Sequence, residues 1–269
     1  RLENTISLSL VTLIAIMETP GENFIEFGLI RFGTIMLGVL SAFVVNLIFL
    51  PPKYESKLYF KAAELTEEIT KWIRISAREA TEHALLKKDI KKISEEIVKL
   101  DQLYFLYKEE RNYFKKQTTV KLRKLVIYRQ MAATLKKALQ TLKELHRFEN
   151  ELANLPEELK MELQKRLDSI IDHHEQVMLK YIDKVRHPSQ NIIAEEQQVV
   201  ERRELFQLFM EYEDIFEKKE DETFFHIIQV ISSINEYDEH LKHLDRLITS
   251  FKTYHKNANK VTVKEPLEG

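Results

Sequence analysis

One uninterrupted apolar stretch constrains this chain more than any other feature. From Phe24 to Leu50 it reads FIEFGLIRFGTIMLGVLSAFVVNLIFL, which extends about 40 Å as a helix, against a bilayer hydrocarbon core of about 30 Å. The segment predicts a tilted membrane-spanning helix over 24–50. A core helix of a soluble protein would need an apolar shell around it, and the charge-dense remainder of the chain offers none. Pro51 and Pro52 then end the helix, because proline lacks the N–H that would continue it and disfavours helical geometry in the residue before it.

A second apolar run, Ile6 to Met17, is too short to span by itself. A secretory signal would need a basic leader and a small-residue cleavage site, whereas Glu18, Thr19 and Pro20 follow the run. Residues 2–17 therefore predict the end of an upstream spanning helix, joined to the next as a transmembrane hairpin through the acidic turn Glu18 to Asn23. Opening on Arg1 instead of methionine adds the expectation of upstream transmembrane helices in the same protein. Residues 1–50 are read as the end of a transmembrane region. Lys53, Lys57 and Lys61 lie just beyond the long helix, and the hairpin turn before it has no basic residue. By the positive-inside rule, the domain that follows is expected to be cytoplasmic.

Glycine divides the chain at the same place. Gly21, Gly28, Gly33 and Gly38 all lie in the first 38 residues, and the other glycine is Gly269. Long stretches without glycine exclude phosphate-cradling loops and most tight strand hairpins. Apolar residues recur at steps of three and four instead, which is the mark of amphipathic helices. Leu58, Ala62, Leu65, Ile69 and Trp72 line the first; Leu86, Ile90, Ile93, Ile97, Leu100, Tyr104 and Tyr107 line the second, ending near Phe114. Leu122, Leu125, Ala132, Leu135, Leu139, Leu142 and Leu145 line the third, entered through Thr118 or Thr119 as a cap. The run NLPEE, Asn154 to Glu158, starts a fourth helix with Pro156 in its first turn and Leu159, Leu163, Leu167, Ile170, Val177 and Tyr181 on its apolar face. A fifth, over about 193–217, presents Val199, Leu205, Phe209, Tyr212 and Phe216. A sixth, over about 222–255, presents Phe224, Ile227, Ile231, Ile234, Leu241, Leu244, Ile248 and Phe251.

The fold expected is all-α: a transmembrane hairpin, then an elongated antiparallel bundle of five to six long helices over 53–256, packed in the manner of a coiled coil, and a disordered tail at 257–269. Charge is partitioned within the bundle. Residues 51–150 carry 23 basic and 14 acidic side chains, and residues 151–269 carry 16 and 25, a balance of +9 against −9. Two halves that attract each other, or a basic face turned to anionic lipid, would both account for this.

Within the spanning helix Arg31, Thr34, Gly38, Ala42 and Asn46 share one face, with Ser41 and Val45 beside them. Lipid penalises such a polar or small-residue stripe. Gly38 and Ala42 suit close packing by another helix, including one from a second copy in a homo-oligomer, and Arg31, Thr34 and Asn46 suit a solvated path for an anion. Arg31 also lies within snorkelling reach of the outer end, the plain alternative to a role on the path.

The stretch RFGTIMLGVLSAFVVNLIFLPPKYESKLY, Arg31 to Tyr59, resembles the junction between membrane half and cytoplasmic domain in the bacterial aromatic acid exporter family. Arg31, Thr34, Gly38, Asn46, Pro51, Pro52, Lys53, Tyr54 and Glu55 carry the likeness. The resemblance implies a bacterial inner-membrane, multi-pass, proton-driven efflux protein whose substrate is a small aromatic carboxylate and whose cytoplasmic helical domain serves assembly or gating.

Other chemistry finds little footing. The chain has no cysteine, no Gly-x-Ser-x-Gly elbow and no glycine-rich nucleotide loop, so no enzyme and no cofactor are expected. His240 with His243, and His173 with His174, lack the paired Glu-x-x-His motifs of a di-iron bundle, and no metal is expected. Nine basic residues and no acidic one lie between Lys115 and Lys143. Without aromatic interleaving or a recognised motif they point to lipid or to the acidic half, and no nucleic acid is expected. The alternative reading is a membrane-tethered helical interaction or signalling module. A mere anchor would have no need of Arg31, Thr34 and Asn46 on one face.

Overall fold

A computed structural model describes Val11, Ile14, and residues 24–49, 54–78, 83–110, 115–184, 203, 205–212 and 221–255. Among these the ordered elements are helices. They form α1 (Phe24–Phe49), α2 (Tyr54–Arg78), α3 (His83–Glu109), α4 (Lys115–Arg147), the short α5 (Glu149–Ala153), α6 (Glu157–Tyr181) and α7 (Asp221–Tyr254). Residues 205–211 are also helical. The chain divides into two compact units, Arg1–Lys53 and Tyr54–Gly269. The expected hairpin partner at 2–17 falls outside the described residues except for Val11 and Ile14, both helical. Val199, Phe216 and the tail 257–269 lie outside them too.

In the first unit, α1 contains a window, Gly28–Val45, of mean hydropathy 2.0 in which no residue is buried. A core helix would be covered by its own protein. This one turns Phe32, Leu37, Val39 and Phe43 outward, and as a helix of about 39 Å it is long enough to cross a bilayer.

The second unit is built on the stripes read above. Leu58, Ala62, Leu65 and Ile69 of α2 are buried, as are Ile93, Ile97 and Leu100 of α3, Leu135, Leu139 and Leu142 of α4, Leu163, Leu167 and Ile170 of α6, and Ile227, Ile231 and Leu241 of α7. Each such aliphatic side chain contributes about 1.5–3 kcal/mol by leaving water. Trp72, Tyr104 and Phe224 pack at the core's margin.

Ion pairs and hydrogen bonds fix the directions of the helices. Lys61 meets Glu96 at 2.6 Å and Lys92 meets Glu68 at 3.1 Å, so α2 and α3 are antiparallel. Lys136 meets Asp101 at 2.7 Å and Tyr107 packs on Tyr128, so α3 and α4 are antiparallel. Tyr59 reaches the Met178 carbonyl at 3.0 Å while Arg78 reaches Asp168, and α2 is therefore antiparallel to α6. Thr134 reaches the His240 carbonyl and Thr141 the Ser233 carbonyl, and α4 is antiparallel to α7. In contrast, Arg166 pairs with Asp238 and Lys180 with Asp245, so α6 and α7 run parallel. The first turn of α2 and the first turns of α4 likewise meet, through Glu55 and Lys124.

The core is thus a ring of α2, α4, α7 and α6 in up-up-down-down order, with α3 laid over the α2–α4 groove. Neighbours in sequence joined by short links are antiparallel as expected; the parallel pairs arise where a longer connection intervenes, over α3 or over residues 182–220.

Three local expectations are corrected. Leu122 is 58% exposed instead of core. On α4 the core positions flanking it are taken by Lys121 and Lys124, whose aliphatic stems are buried while their ammonium groups find Glu110 and Glu55. Thr118 and Thr119 do not cap α4, which is already helical at Lys115, because Lys115, Lys116 and Gln117 are good helix formers. Pro156 stands one position ahead of α6 as its N-cap, with Glu157 and Glu158 in the first turn at the positive end of the helix dipole.

Candidate functional site

Among the described residues, three groups of polar side chains in apolar surroundings stand out, one on α1 and two inside the bundle. On α1, Arg31 and Thr34 are exposed and lie one turn apart on the stripe with Gly38 and Ala42. The Thr34 hydroxyl donates to the Ile30 carbonyl at 2.7 Å, and Ser41 donates to the Gly38 carbonyl at 3.0 Å. Both hydroxyl protons are satisfied within the helix, and each oxygen keeps its lone pairs to accept from a partner or water. A Cβ at Gly38 would meet nothing within 4 Å, so among the described residues this face stands open. The Asn46 backbone belongs to α1; its side chain lies outside the described residues. Arg31 makes no ion pair with another described residue.

The second place is the end of the bundle where α2 begins. Glu55, in the first turn of α2, accepts from Lys124 at 2.6 Å and from the Tyr107 hydroxyl at 3.4 Å. Its backbone carbonyl accepts from Tyr128, whose hydroxyl in turn accepts from Tyr181 at 3.1 Å. Tyr59 stacks on Tyr181 with ring centroids 5.5 Å apart, and the Lys121 ammonium lies 5.2 Å from the Tyr107 ring centroid. Burial pushes the Tyr59 phenol up to about 12 and holds Tyr107, Tyr128 and Tyr181 well above the ordinary phenol range. These hydroxyls remain protonated donors. Burial also lowers Lys121. The cluster fastens the first turn of α2 to α3 and α4 at once. Removing Glu55 would leave the buried Lys124 ammonium without its carboxylate, a loss of about 3–5 kcal/mol in comparable buried pairs.

The third lies midway along α6 and α7. Arg166 and Asp238 are fully buried and pair at 2.6 Å, and Lys242 approaches the same carboxylate oxygen at 2.8 Å. About two turns further along α6, the His174 Nδ1 lies 2.7 Å from the hydroxyl of Tyr237, the neighbour of Asp238. Burial, then the neighbouring His173, pushes His174 down to about 3, while burial holds the Tyr237 phenol high. The imidazole is therefore neutral and the phenol protonated at neutral pH. His240 contacts the Gln130 amide through its ring and its carbonyl, and His173 faces Asp245 at 3.9 Å. Asp245 is raised by burial but held below its ordinary value by the stronger pull of His173 and Lys180 together.

The predicted site residues Arg31, Thr34, Gly38, Ala42 and Asn46 all belong to α1, while the bundle's polar clusters escaped the sequence reading. A signal for them existed. Arg166 falls three residues after Leu163 and four before Ile170, and Asp238 four after Ile234 and three before Leu241, both in the phase of the core.

Two comparisons bear on descent. Residues 1–49 match the family described as Aromatic acid exporter family member 1. UPF0421 protein YgaE of Bacillus subtilis (strain 168) is 46% identical over 265 residues, which cover 98% of this chain and 74% of that protein. The similarity to that protein runs through α1 and the bundle alike, and the chain belongs to the aromatic acid exporter family.

Proposed function

We propose that this chain works as part of a bacterial inner-membrane efflux transporter that exports small aromatic carboxylates. Residues 1–50 contribute to the membrane part, 53–256 form a cytoplasmic bundle for assembly or gating, and no step of covalent catalysis is involved. The observation that carries the reading is the uncovered stripe on α1. An apolar helix with no buried residue in its central window still places Arg31 in its interior, without an ion-pair partner among the described residues. A cation so placed is costly in hydrocarbon and is retained where it meets a partner helix, a water-filled path or an anion. A substrate carboxylate supplies the last of these. Thr34 and Asn46 extend the polar face along the path, and Gly38 and Ala42 admit a close-packed neighbouring helix or a second copy. The Glu55 cluster supports a gating role, since any shift at the start of α2 is transmitted to α3 and α4 by its bonds.

The test is accumulation of radiolabelled aromatic carboxylates in cells expressing the whole protein, wild type against Arg31→Gln at matched membrane levels. Lower accumulation in wild type that rises to the empty-vector level in the variant is expected. No difference between wild type and empty vector across the panel would reject transport and favour a membrane-tethered interaction module.

A further inference from the structure

The bundle's apolar side chains are not all inside it. At the end where α2 begins, every long helix of the bundle exposes one or more: Phe60 on α2, Phe105 on α3, Leu122 and Val126 on α4, Leu179 on α6 and Tyr254 on α7. The pairings between helices put them within about three helical turns of one another along this end. Tyr59 is opposite Met178, Glu55 is opposite Lys124 and Tyr107, and Asp183 pairs with Lys252. These apolar groups therefore form a collar around one end of the bundle, not a stripe along one flank. Helix-in-groove partners need a stripe. A plane meeting the end of the bundle needs a collar.

Among the described residues the charge at this end is one-sided. Lys57, Lys108, Arg123, Arg129 and Lys184 are exposed there, against Glu109 and the already paired Asp183. Arg123 also covers the Tyr254 ring at 5.7 Å. Aromatic and aliphatic groups interspersed with lysine and arginine are the composition that seats amphipathic surfaces 5–10 Å or so into the boundary between headgroups and acyl chains, more strongly where the lipid is anionic. Covalent continuity supplies the remaining argument. Tyr54 follows Phe49, the last residue of α1, by five positions, at most about 18 Å of extended chain.

We propose that this collar docks the bundle onto the anionic surface of the membrane that α1 crosses, with Phe105, Leu122, Val126 and Tyr254 entering the headgroup boundary. The inference rests on the reading of α1 as a spanning helix. It assigns the +9 half of the bundle a second task beside pairing with the acidic half, through Arg123 and Arg129 of α4, which pair with no described carboxylate while Lys124, Lys136 and Lys137 do.

The absence of cysteine permits a direct test in the whole protein, reconstituted in vesicles of phosphatidylglycerol and phosphatidylcholine. Single cysteines at Phe43 in α1, at Leu122 and Tyr254 in the collar, and at Phe225 near the opposite end of α7 are labelled with an environment-sensitive fluorophore. Lipids brominated along their acyl chains serve as quenchers. The label at 43 is expected to be quenched by deep bromines. The labels at 122 and 254 are expected to be quenched by shallow bromines at least about twofold more than the label at 225, and roughly half of that quenching is expected to disappear in pure phosphatidylcholine or high salt. Quenching at 43 with none at 122 and 254 would overturn the collar while leaving the spanning helix in place. Absence of quenching at 43 as well would overturn both. Unquenched collar cysteines that instead cross-link between copies would show a second chain covering this end, and would equally overturn lipid docking.

Discussion

Arg31 and Arg166 are both arginines set among apolar residues, and they are resolved in opposite ways. Arg166 has no exposed surface and finds Asp238 within the same unit, with Lys242 and the adjacent His174–Tyr237 pair completing a polar layer. Arg31 is exposed on α1, and among the described residues no carboxylate answers it. A cation whose needs are met inside the fold contributes to specifying that fold; a cation left unanswered is a demand placed on something else. The same side chain therefore marks architecture in the bundle and interaction in the membrane segment.

The two arginines should therefore answer to opposite readouts. Arg31→Gln is expected to abolish export, raising cellular aromatic carboxylate to the empty-vector level, while the urea midpoint of the bundle stays within about 0.5 kcal/mol of wild type, as befits an exposed site. Arg166→Met is expected to do the reverse, costing about 3–5 kcal/mol in urea unfolding, toward the lower figure because Lys242 still neutralises Asp238. Pairing it with Asp238→Leu should recover most of that loss, since a buried ion pair replaced as a whole by apolar groups of similar size is often neutral or better. If the double variant is as unstable as the single one, the polar layer does more than satisfy itself.

Acid offers a milder probe of the same layer. His174 is neutral in the fold down to about pH 3, whereas an unfolded histidine binds its proton near 6.5. Below that ordinary value the unfolded chain holds the extra proton, so stability is full above about pH 6.5 and declines as pH falls toward 3, by about 1.4 kcal/mol per unit. Unfolding midpoints at pH 7 and pH 5 should differ in this sense, and His174→Gln should flatten the slope. The smallest effect belongs at the surface. Arg74 meets Asp172 at 2.6 Å and Glu175 at 3.3 Å across the two charge halves, yet it is over a third exposed; Arg74→Ala should cost no more than about 1 kcal/mol, less in high salt.

How far the sequence could be read follows the same division. Periodicity located α2, α3, α4, α6 and α7 because their apolar residues repeat without interruption, and the glycine-poor, proline-punctuated chain left few other options. Periodicity failed where a polar residue occupied a core position. Lysine is ordinarily solvated, so the phase of α4 was drawn through Leu122 when Lys121 and Lys124 held the inner positions. The Glu55 cluster was hidden for another reason: its members come from four helices and are separated by up to 119 residues between bonded partners, a proximity that no local pattern encodes. The α1 stripe, in contrast, lies within a single helix, where spacing alone brings Arg31, Thr34, Gly38, Ala42 and Asn46 to one side.

The parallel placement of α6 and α7 also has a meaning in time. Asp238 lies 72 residues after Arg166, and the Ser233 and His240 carbonyls reach back 92 and 106 residues to α4. Synthesis delivers α7 after every other helix of the ring, so until it emerges Arg166 has no Asp238 to meet and α4 shows a bare flank. Such a domain cannot be completed hairpin by hairpin as the ribosome releases it. Its decisive contacts are non-local and close late, which slows folding and makes a chain shortened before Asp221 a natural substrate for quality control.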